Sequence, residues 1–210
     1  MTIQKITSGK WKQNCYIVHI ASRNALIIDP GEDTEAIVDY VETRKLKVLA
    51  IVNTHAHYDH VTSVDYLKNR YSIPFYLNSK DSTLLKHANL YRKIFNGQAS
   101  IKIPEIDFLI DEIETPINLE EFSVEVVPTP GHTEGGVCLL VDQHLFTGDT
   151  LFCGKVGRTD LPGGNQEDLS VSLKRLKRLS PEINIYPGHG KSSTLGHEFE
   201  NNQEFIQSIK

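Results

Sequence analysis

Apolar and polar positions along this chain fall into short blocks that switch repeatedly between strand-like and helix-like spacing. Asn14 to Ile20 and Ala25 to Asp29 are apolar runs separated by a polar turn, which predicts a hairpin whose second strand ends at Asp29-Pro30-Gly31. A helix is expected over roughly Asp33 to Arg44, then a strand over Val48 to Val52. Val61, Val64 and Leu67 recur at helical spacing, residues 74 to 77 read as another strand, and Ser79 to Leu90 as a helix capped by Ser79 or Asp81. Between Tyr91 and Asp107 the pattern lapses, predicting a loop or lid. From Phe122 short strands recur, including Val124 to Val127, Val137 to Val141 and Leu145-Phe146. A helix follows with Leu169, Leu173, Leu176 and Leu179 on one side, then a strand at Ile183 to Tyr186 and a closing helix from about Gly196 to Ile209. Strands in both halves with helices between them fit an α/β protein with a two-layered sheet covered on both outer faces. No linker or low-complexity segment interrupts it, so residues 1–210 are expected to form one domain.

Composition narrows the classes. At 210 residues and 23.7 kDa the chain can bury an adequate core. A hydrophobic content of 39% and a mean hydropathy of -0.30 are those of an ordinary globular protein. The net charge of -5 and pI of 6.0 argue against nucleic acid as a partner, because phosphate neutralisation needs a basic surface. Lys174, Arg175, Lys177 and Arg178 read as the solvated face of the leucine-rich helix. Cys15, Cys138 and Cys153 are too few for a disulfide framework, and Cys138, inside an apolar run, reads as a small buried hydrophobe. The start Met1-Thr2-Ile3-Gln4-Lys5 lacks a signal pattern and no apolar stretch reaches membrane-spanning length, so a cytoplasmic protein with no membrane partner is expected. Oligomeric state has no sequence signature here.

The chemistry concentrates at strand ends. Thr54-His55-Ala56-His57-Tyr58-Asp59-His60 places three imidazoles and a carboxylate in one turn after Val48 to Val52. Imidazole and carboxylate donors suit zinc, iron or manganese. If residues 53–57 stay extended, His55 and His57 point to one side, whereas Asp59 and His60 lie where the helix begins and face another way. Three further turns follow apolar strands and present a donor after glycine: Gly131-His132, Gly148-Asp149 and Gly188-His189. His19, His87, His144 and His197 have no such setting and read as structural or exposed.

The ordered set His-x-His-x-Asp-His, Gly-His, Gly-Asp and Gly-His, running from His55 to His189, resembles the metallo-β-lactamase superfamily. That resemblance implies a four-layer αββα sandwich and two divalent metal ions, zinc first with iron or manganese as alternatives. His55, His57 and His132 would hold one ion, Asp59, His60 and His189 the second, and Asp149 would bridge them. Many zinc β-lactamases carry a cysteine at the shared second-metal position, whereas this chain has Asp149, with His60 upstream. Thr147 to Phe152 followed by Gly157-Arg158-Thr159-Asp160 is similar to the short, single-domain members of the glyoxalase II (hydroxyacylglutathione hydrolase) group. The chain ends about twenty residues past His189, so no separate C-terminal helical glutathione-binding domain is expected. Thr159, Asp160 and Lys191 stand where aromatic residues usually follow the group's motifs, leaving the thiol carrier open.

The implied reaction is hydrolysis of a thioester of a low-molecular-weight thiol, S-lactoylglutathione or an equivalent, by a metal-bridging hydroxide. Two ions about 3.5 Å apart lower the pKa of a shared water from about 15.7 toward about 7. Asp59 is the expected catalytic carboxylate, taking the remaining proton. A thiolate of pKa ~8.5 departs without a strong general acid. Lys155 and Arg158 are candidate contacts for a substrate carboxylate, the guanidinium offering a fork. The alternative is a mononuclear iron persulfide dioxygenase using His55, His132 and Asp149 as a facial triad. A non-catalytic metal-binding module ranks behind both.

Overall fold

A computed structural model describes residues 1–97 and 100–210. The chain divides into two compact units, residues 1–113 with 119–121 and residues 114–118 with 122–210.

In the first unit the strands are β1 (Thr2–Ser8), β2 (Gln13–His19), β3 (Asn24–Ile28), β4 (Lys47–Val52), β5 (Phe75–Leu77) and β6 (Phe108–Leu109), and they form one sheet in that order. The first three pair antiparallel, and β3 to β6 run parallel. Parallel strands covered on both faces read as continuous apolar runs, which is why β3 (Asn-Ala-Leu-Ile-Ile) is buried throughout. The helices are α1 (Thr34–Thr43), α2 (Tyr58–Val61), α3 (Val64–Tyr71), α4 (Ser82–Lys86) and α5 (Ala88–Asn96). Ile37 and Val41 of α1 and Val64 and Leu67 of α3 join Ile17, Ile27, Ile51 and Phe75 of the sheet in one core. Asp33 caps α1 by accepting from the Ala36 amide.

Two sequence expectations change here, and one strand, β1, had no expectation at all. Strand β1 had no period-two signal, because it is an edge strand held by backbone pairing to β2 from Thr2↔His19 to Ser8↔Gln13. The expected helix over Ser79 to Leu90 opens with a 3-10 turn, Ser79–Asp81, capped by Asn78, whose side chain accepts from the Lys80 amide; Asp81, one of the two expected caps, stands at the N-cap position of α4 without a side-chain cap bond, and the helix breaks at His87. Helix α5 then continues to Asn96, inside the stretch expected to be a loop or lid. Leu90, Tyr91, Ile94 and Phe95 recur at helical spacing, and in the structure Tyr91 packs inward while Leu90, Ile94 and Phe95 stay exposed. Further on, Ile101, Ile103 and Ile106 also pack on the core, and Gln98 and Ala99 lie outside the described residues.

In the second unit β7 (Ile117–Leu119), β8 (Phe122–Pro128), β9 (Val137–Val141), β10 (His144–Gly148), β13 (Asn184–Pro187) and β14 (Ser193–Thr194) form a sheet ordered β14-β13-β10-β9-β8-β7, and β11 (Leu151–Phe152) pairs with β12 (Lys155–Val156) as a separate hairpin. Only β10 and β13 pair parallel among the assigned ladders of this sheet. Helix α6 (Gln166–Leu176) puts Leu169, Leu173 and Leu176 against Cys138, Leu145 and Ile185, so its basic residues face away from that core. Cys138 is fully buried, and burial pushes its thiol up to about 12, consistent with a packing role. The expected closing helix is two: α7 (Leu195–Asn201) and α8 (Gln203–Ser208), divided at Asn202, which leaves helical geometry and caps α8 through the Phe205 amide.

His19 and His144 each meet a tyrosine hydroxyl, Tyr40 and Tyr186, at 3.0 Å. Burial is the main cause that lowers both imidazoles from their ordinary value of 6.5. A histidine whose folded pKa is depressed contributes its full stability above 6.5 and loses it as pH falls below, since the unfolded chain binds the proton more readily. Urea midpoints of the metal-free protein should therefore fall on acidification from about pH 7.5 to about 5.5, and a His19→Gln/His144→Gln protein should show a smaller fall. Equal slopes in the two proteins would refute this assignment.

Candidate metal centre

In the first unit the donor residues occupy the carboxyl end of parallel strand β4, the usual place for ligand contacts in such sheets. His55 is 2% exposed and its Nε2 lies 3.1 Å from Nδ1 of His57, which is in extended conformation, so the two imidazoles meet on one side as their spacing predicts. Asp59 and His60 sit on α2, and the His60 ring centroid is 4.1 Å from that of His55.

Neighbouring parallel strands supply the supports. Pairing of Ile28 with Val52 brings Asp29, the residue after β3, level with the start of the histidine loop. Asp29 Oδ1 accepts from the Thr54 amide at 2.7 Å, and Oδ2 accepts from Thr54 Oγ1 at 2.6 Å and from His60 Nδ1 at 3.0 Å. Asp81, after β5, accepts from the Ala56 amide at 2.9 Å, and Asn53 Nδ2 donates to the His60 carbonyl at 2.8 Å. Holding the His60 proton on Nδ1 turns the Nε2 lone pair outward, the arrangement a metal requires. Asp29, His55 and His60 each bring a donor atom within 4.8 Å of the others, but the Asp29 carboxylate is engaged as an orienting group.

Asp29→Asn should disturb this arrangement. With its oxygen kept toward the Thr54 amide, the new NH2 would face His60 Nδ1 and demand the other tautomer. Metal affinity is expected to fall roughly 10- to 100-fold, as for loss of an outer partner of a histidine ligand. A competition titration against a chromophoric chelator reads this directly, and unchanged affinity would rule it out.

The second unit presents its donors at the ends of β8, β10 and β13. Parallel pairing of β10 with β13 sets Gly148 opposite Pro187, and the Gly188 amide donates to the Gly148 carbonyl at 2.8 Å, so Asp149 and His189 become neighbours. His189 Nε2 lies 3.4 Å and His132 Nε2 3.5 Å from the same Asp149 oxygen, Oδ2. Nδ1 of His132 donates to the Arg158 carbonyl at 2.8 Å, which again directs Nε2 to the ligand side. Two imidazole nitrogens converging on one carboxylate oxygen is the donor geometry that a shared metal ligand needs, so these residues suit divalent ions.

Close approach here depends on glycine. A Cβ on Gly157 would stand 2.0 Å from the Asp149 carbonyl oxygen and 3.3 Å from His132 Cβ. Gly131, at φ 136°, lets the His132 loop rest on the start of α6, where a Cβ would lie 2.4 Å from the Leu169 backbone. Asn165 closes this junction by capping α6 and donating its amide to the Gly131 carbonyl at 2.8 Å.

Residues 8–189 match the model of the metallo-β-lactamase superfamily. The chain belongs to the metallo-β-lactamase superfamily. Its two helix-flanked sheets are those of that fold: the BLEG-1 B3 metallo-β-lactamase superposes with a TM-score of 0.90 at 32% identity, over 97% of this chain and 99% of that one. A protein designated TTHA1623, solved in a di-iron-bound form, gives a TM-score of 0.84 at 37% identity over 95% and 98% of the two chains. The hydroxyacylglutathione hydrolase GloC of Haemophilus influenzae is 33% identical over 96% of this chain and 97% of its own. This superfamily member is a short, glyoxalase II-like metallo-hydrolase whose His and Asp donors suit a dinuclear metal site.

The remaining predicted positions are placed as follows. Lys155 is exposed on β12. Arg158 is exposed and its fork donates to both Asp160 carboxylate oxygens at 2.6 Å, while its backbone carbonyl serves His132. Tyr58, inside the metal motif, is buried, accepts from Trp11 Nε1, and its phenol is pushed up to about 12 mainly by burial. Of the other histidines, His87 Nδ1 bonds the Thr83 carbonyl and His197 is exposed on α7. Sequence reading missed Asp29 and Asp81 as supports; the Asp-Pro-Gly turn closing a strand was the available signal for the first.

Among the described residues no helix is long and apolar enough to cross a membrane.

Proposed function

We propose that this protein is a thioester hydrolase acting on an acylated low-molecular-weight thiol of the S-lactoylglutathione kind. The supporting observation is Asp149, an aspartate rather than a cysteine, with His132 and His189 both directed at its Oδ2, in a chain similar over nearly its full length to a hydroxyacylglutathione hydrolase. In this reading His55, His57 and His132 hold one divalent ion, Asp59, His60 and His189 the other, and Asp149 is shared. Zinc is the first choice, with iron as the alternative that the di-iron relative supports.

Bound divalent ions would acidify a water and polarise the substrate carbonyl. The chain supplies the rest. Asp29 and the Arg158 carbonyl hold the protons of His60 and His132 on Nδ1, so neither ring must reorganise during turnover. Asp59, in the first turn of α2 and 8% exposed, takes the proton left by the attacking water. The leaving thiolate, with a pKa of ~8.5, needs no protonated partner. Lys155 and Arg158 are the proposed contacts for a substrate carboxylate; because Asp160 occupies the Arg158 fork, Lys155 carries the larger share. Cys15, Cys138 and Cys153 are all free thiols, which supports a reducing, cytoplasmic setting.

The test is release of free thiol from S-lactoylglutathione and a panel of other thioesters by fully metallated protein. Turnover is expected, with Asp59→Asn slower by about 10²- to 10⁴-fold, the range for loss of a general base. No thiol release from any thioester would overturn the proposal; a single iron per chain with oxygen uptake on glutathione persulfide would replace it with the dioxygenase reading.

A further inference from the structure

The β11–β12 hairpin is two residues long on each side and lies directly before the two positions that shape the metal-donor loops, Gly157 and Arg158. Strands this short do not hold their own geometry. Side chains from the last two helices do it instead. Glu198, fully buried on α7, accepts from the Gly154 amide at 2.7 Å through Oε2 and from Ser193 Oγ through Oε1. The same Oε2 accepts from Asn202 Nδ2 at 2.9 Å, and that Nδ2 also donates to the carbonyls of Lys155 at 3.0 Å and Phe152 at 3.4 Å. Glu204 adds a surface contact, accepting from the Val156 amide at 3.0 Å. Four backbone groups of the hairpin, at Phe152, Gly154, Lys155 and Val156, are thus tied to the last two helices by three side chains.

We propose that Glu198 and Asn202 are positioning residues for the metal centre. They fix the hairpin, and through it the Arg158 carbonyl that orients His132 and the Gly157 contact that seats Asp149. A buried carboxylate must be fully hydrogen-bonded to be tolerated, and here its donors are the backbone and side-chain groups that define the hairpin's path. The order of connection is short: Gly157 donates its amide to the Thr150 carbonyl at 3.0 Å, one residue beyond Asp149. The last turn of chain therefore reaches two predicted ligands without touching either. The proposal rests on the assignment of His132 and Asp149 as metal ligands and is independent of the substrate.

Cobalt(II) titration of the full-length apo-protein, followed by its visible absorption bands, tests it alongside thermal melting of the same apo-proteins. Glu198→Ala should weaken binding of at least one cobalt ion roughly 10- to 100-fold and alter the band intensities, because the geometry at His132 and Asp149 relaxes. Glu198→Gln should restore both. Its amide oxygen can keep the Gly154 and Asn202 bonds, while its NH2 meets Ser193 Oγ, a hydroxyl that can accept as well as donate. If Glu198→Ala does not fold, the surface variant Glu204→Ala replaces it, with an expected loss of about threefold, the order of one exposed hydrogen bond. Cobalt affinity and spectrum unchanged in Glu198→Ala, or in Glu204→Ala when that variant stands in, would overturn the proposal. So would a Glu198→Gln protein as impaired as Glu198→Ala. Failure of thioester turnover with the cobalt results intact would count against the proposed substrate and leave this inference standing.

Discussion

Asp149→Ala is expected to abolish metal retention and to lower thioester turnover by on the order of 10³-fold or more, the scale seen when a preorganised electrostatic group is removed from a reacting centre. His132 and His189 both direct Nε2 to within 3.5 and 3.4 Å of this one carboxylate oxygen. Without the negative charge, the remaining donors of the second unit are neutral imidazoles, which hold a dication far less well than a set that includes a carboxylate. The fold should survive. Asp149 follows β10 in a turn whose backbone bonds, Thr150 amide to Thr147 carbonyl and Gly188 amide to Gly148 carbonyl, do not use its side chain. Apo-protein melting should therefore shift by only a few degrees, since about 1 kcal/mol moves a chain of this size roughly 2–4 °C. Elemental analysis after gel filtration is the direct readout. Two ions per chain and full rate in Asp149→Ala would show that the shared ligand is misassigned.

Gly157→Ala should damage the site strongly for a single added methyl group. The added Cβ would fall 2.0 Å from the Asp149 carbonyl oxygen and 3.2 Å from its carbon, with His132 Cβ 3.3 Å away. The obstructing atoms are backbone, so no rotamer change relieves the clash and one of the two chain segments has to move. Overpacking of this kind costs about 1–3 kcal/mol, a melting decrease of several degrees, and the displacement falls on the loops that carry His132 and Asp149. Metal affinity should drop roughly 10- to 100-fold in addition. Gly97→Ala is the control: at φ 65°, in the cap of α5, it costs about 1 kcal/mol of backbone strain, yet nothing lies within 4 Å of its Cβ, so metal affinity should hold. If Gly157→Ala binds metal as tightly as Gly97→Ala, close backbone approach is not what glycine provides at 157.

The elements with strong periodicity were legible from the chain alone. The Leu169, Leu173, Leu176 stripe is the buried face of α6, and the run Val137 to Val141 is β9. Edge strand β1 was not legible, because backbone pairing alone requires no apolar alternation. Leu90, Tyr91, Ile94 and Phe95 carried the helical spacing of α5 although most of that apolar side is exposed, whereas the break at Asn202 was hidden by a residue that serves as the end of one helix and the cap of the next.

For the site, residue type and spacing picked out the candidate donors. Histidine and aspartate after glycine at strand ends have few other uses, and His55 and His57 were oriented by strand alternation alone. What they could not disclose is which partners hold each ring. Asp29 reaches His60 because β3 and β4 run parallel with Ile28 opposite Val52, and Asp149 meets His189 because β10 and β13 run parallel with Gly148 opposite Pro187 past a bulge. The Arg158 carbonyl at His132 and the Glu198 grip on the hairpin depend on backbone atoms, which every residue shares and no motif records. The sequence by itself determined the donor chemistry, since side-chain identity dictates what an atom can bind. The tertiary structure decided tautomer, orientation and support, since these depend on neighbours that strand register and chain crossing bring from distant positions.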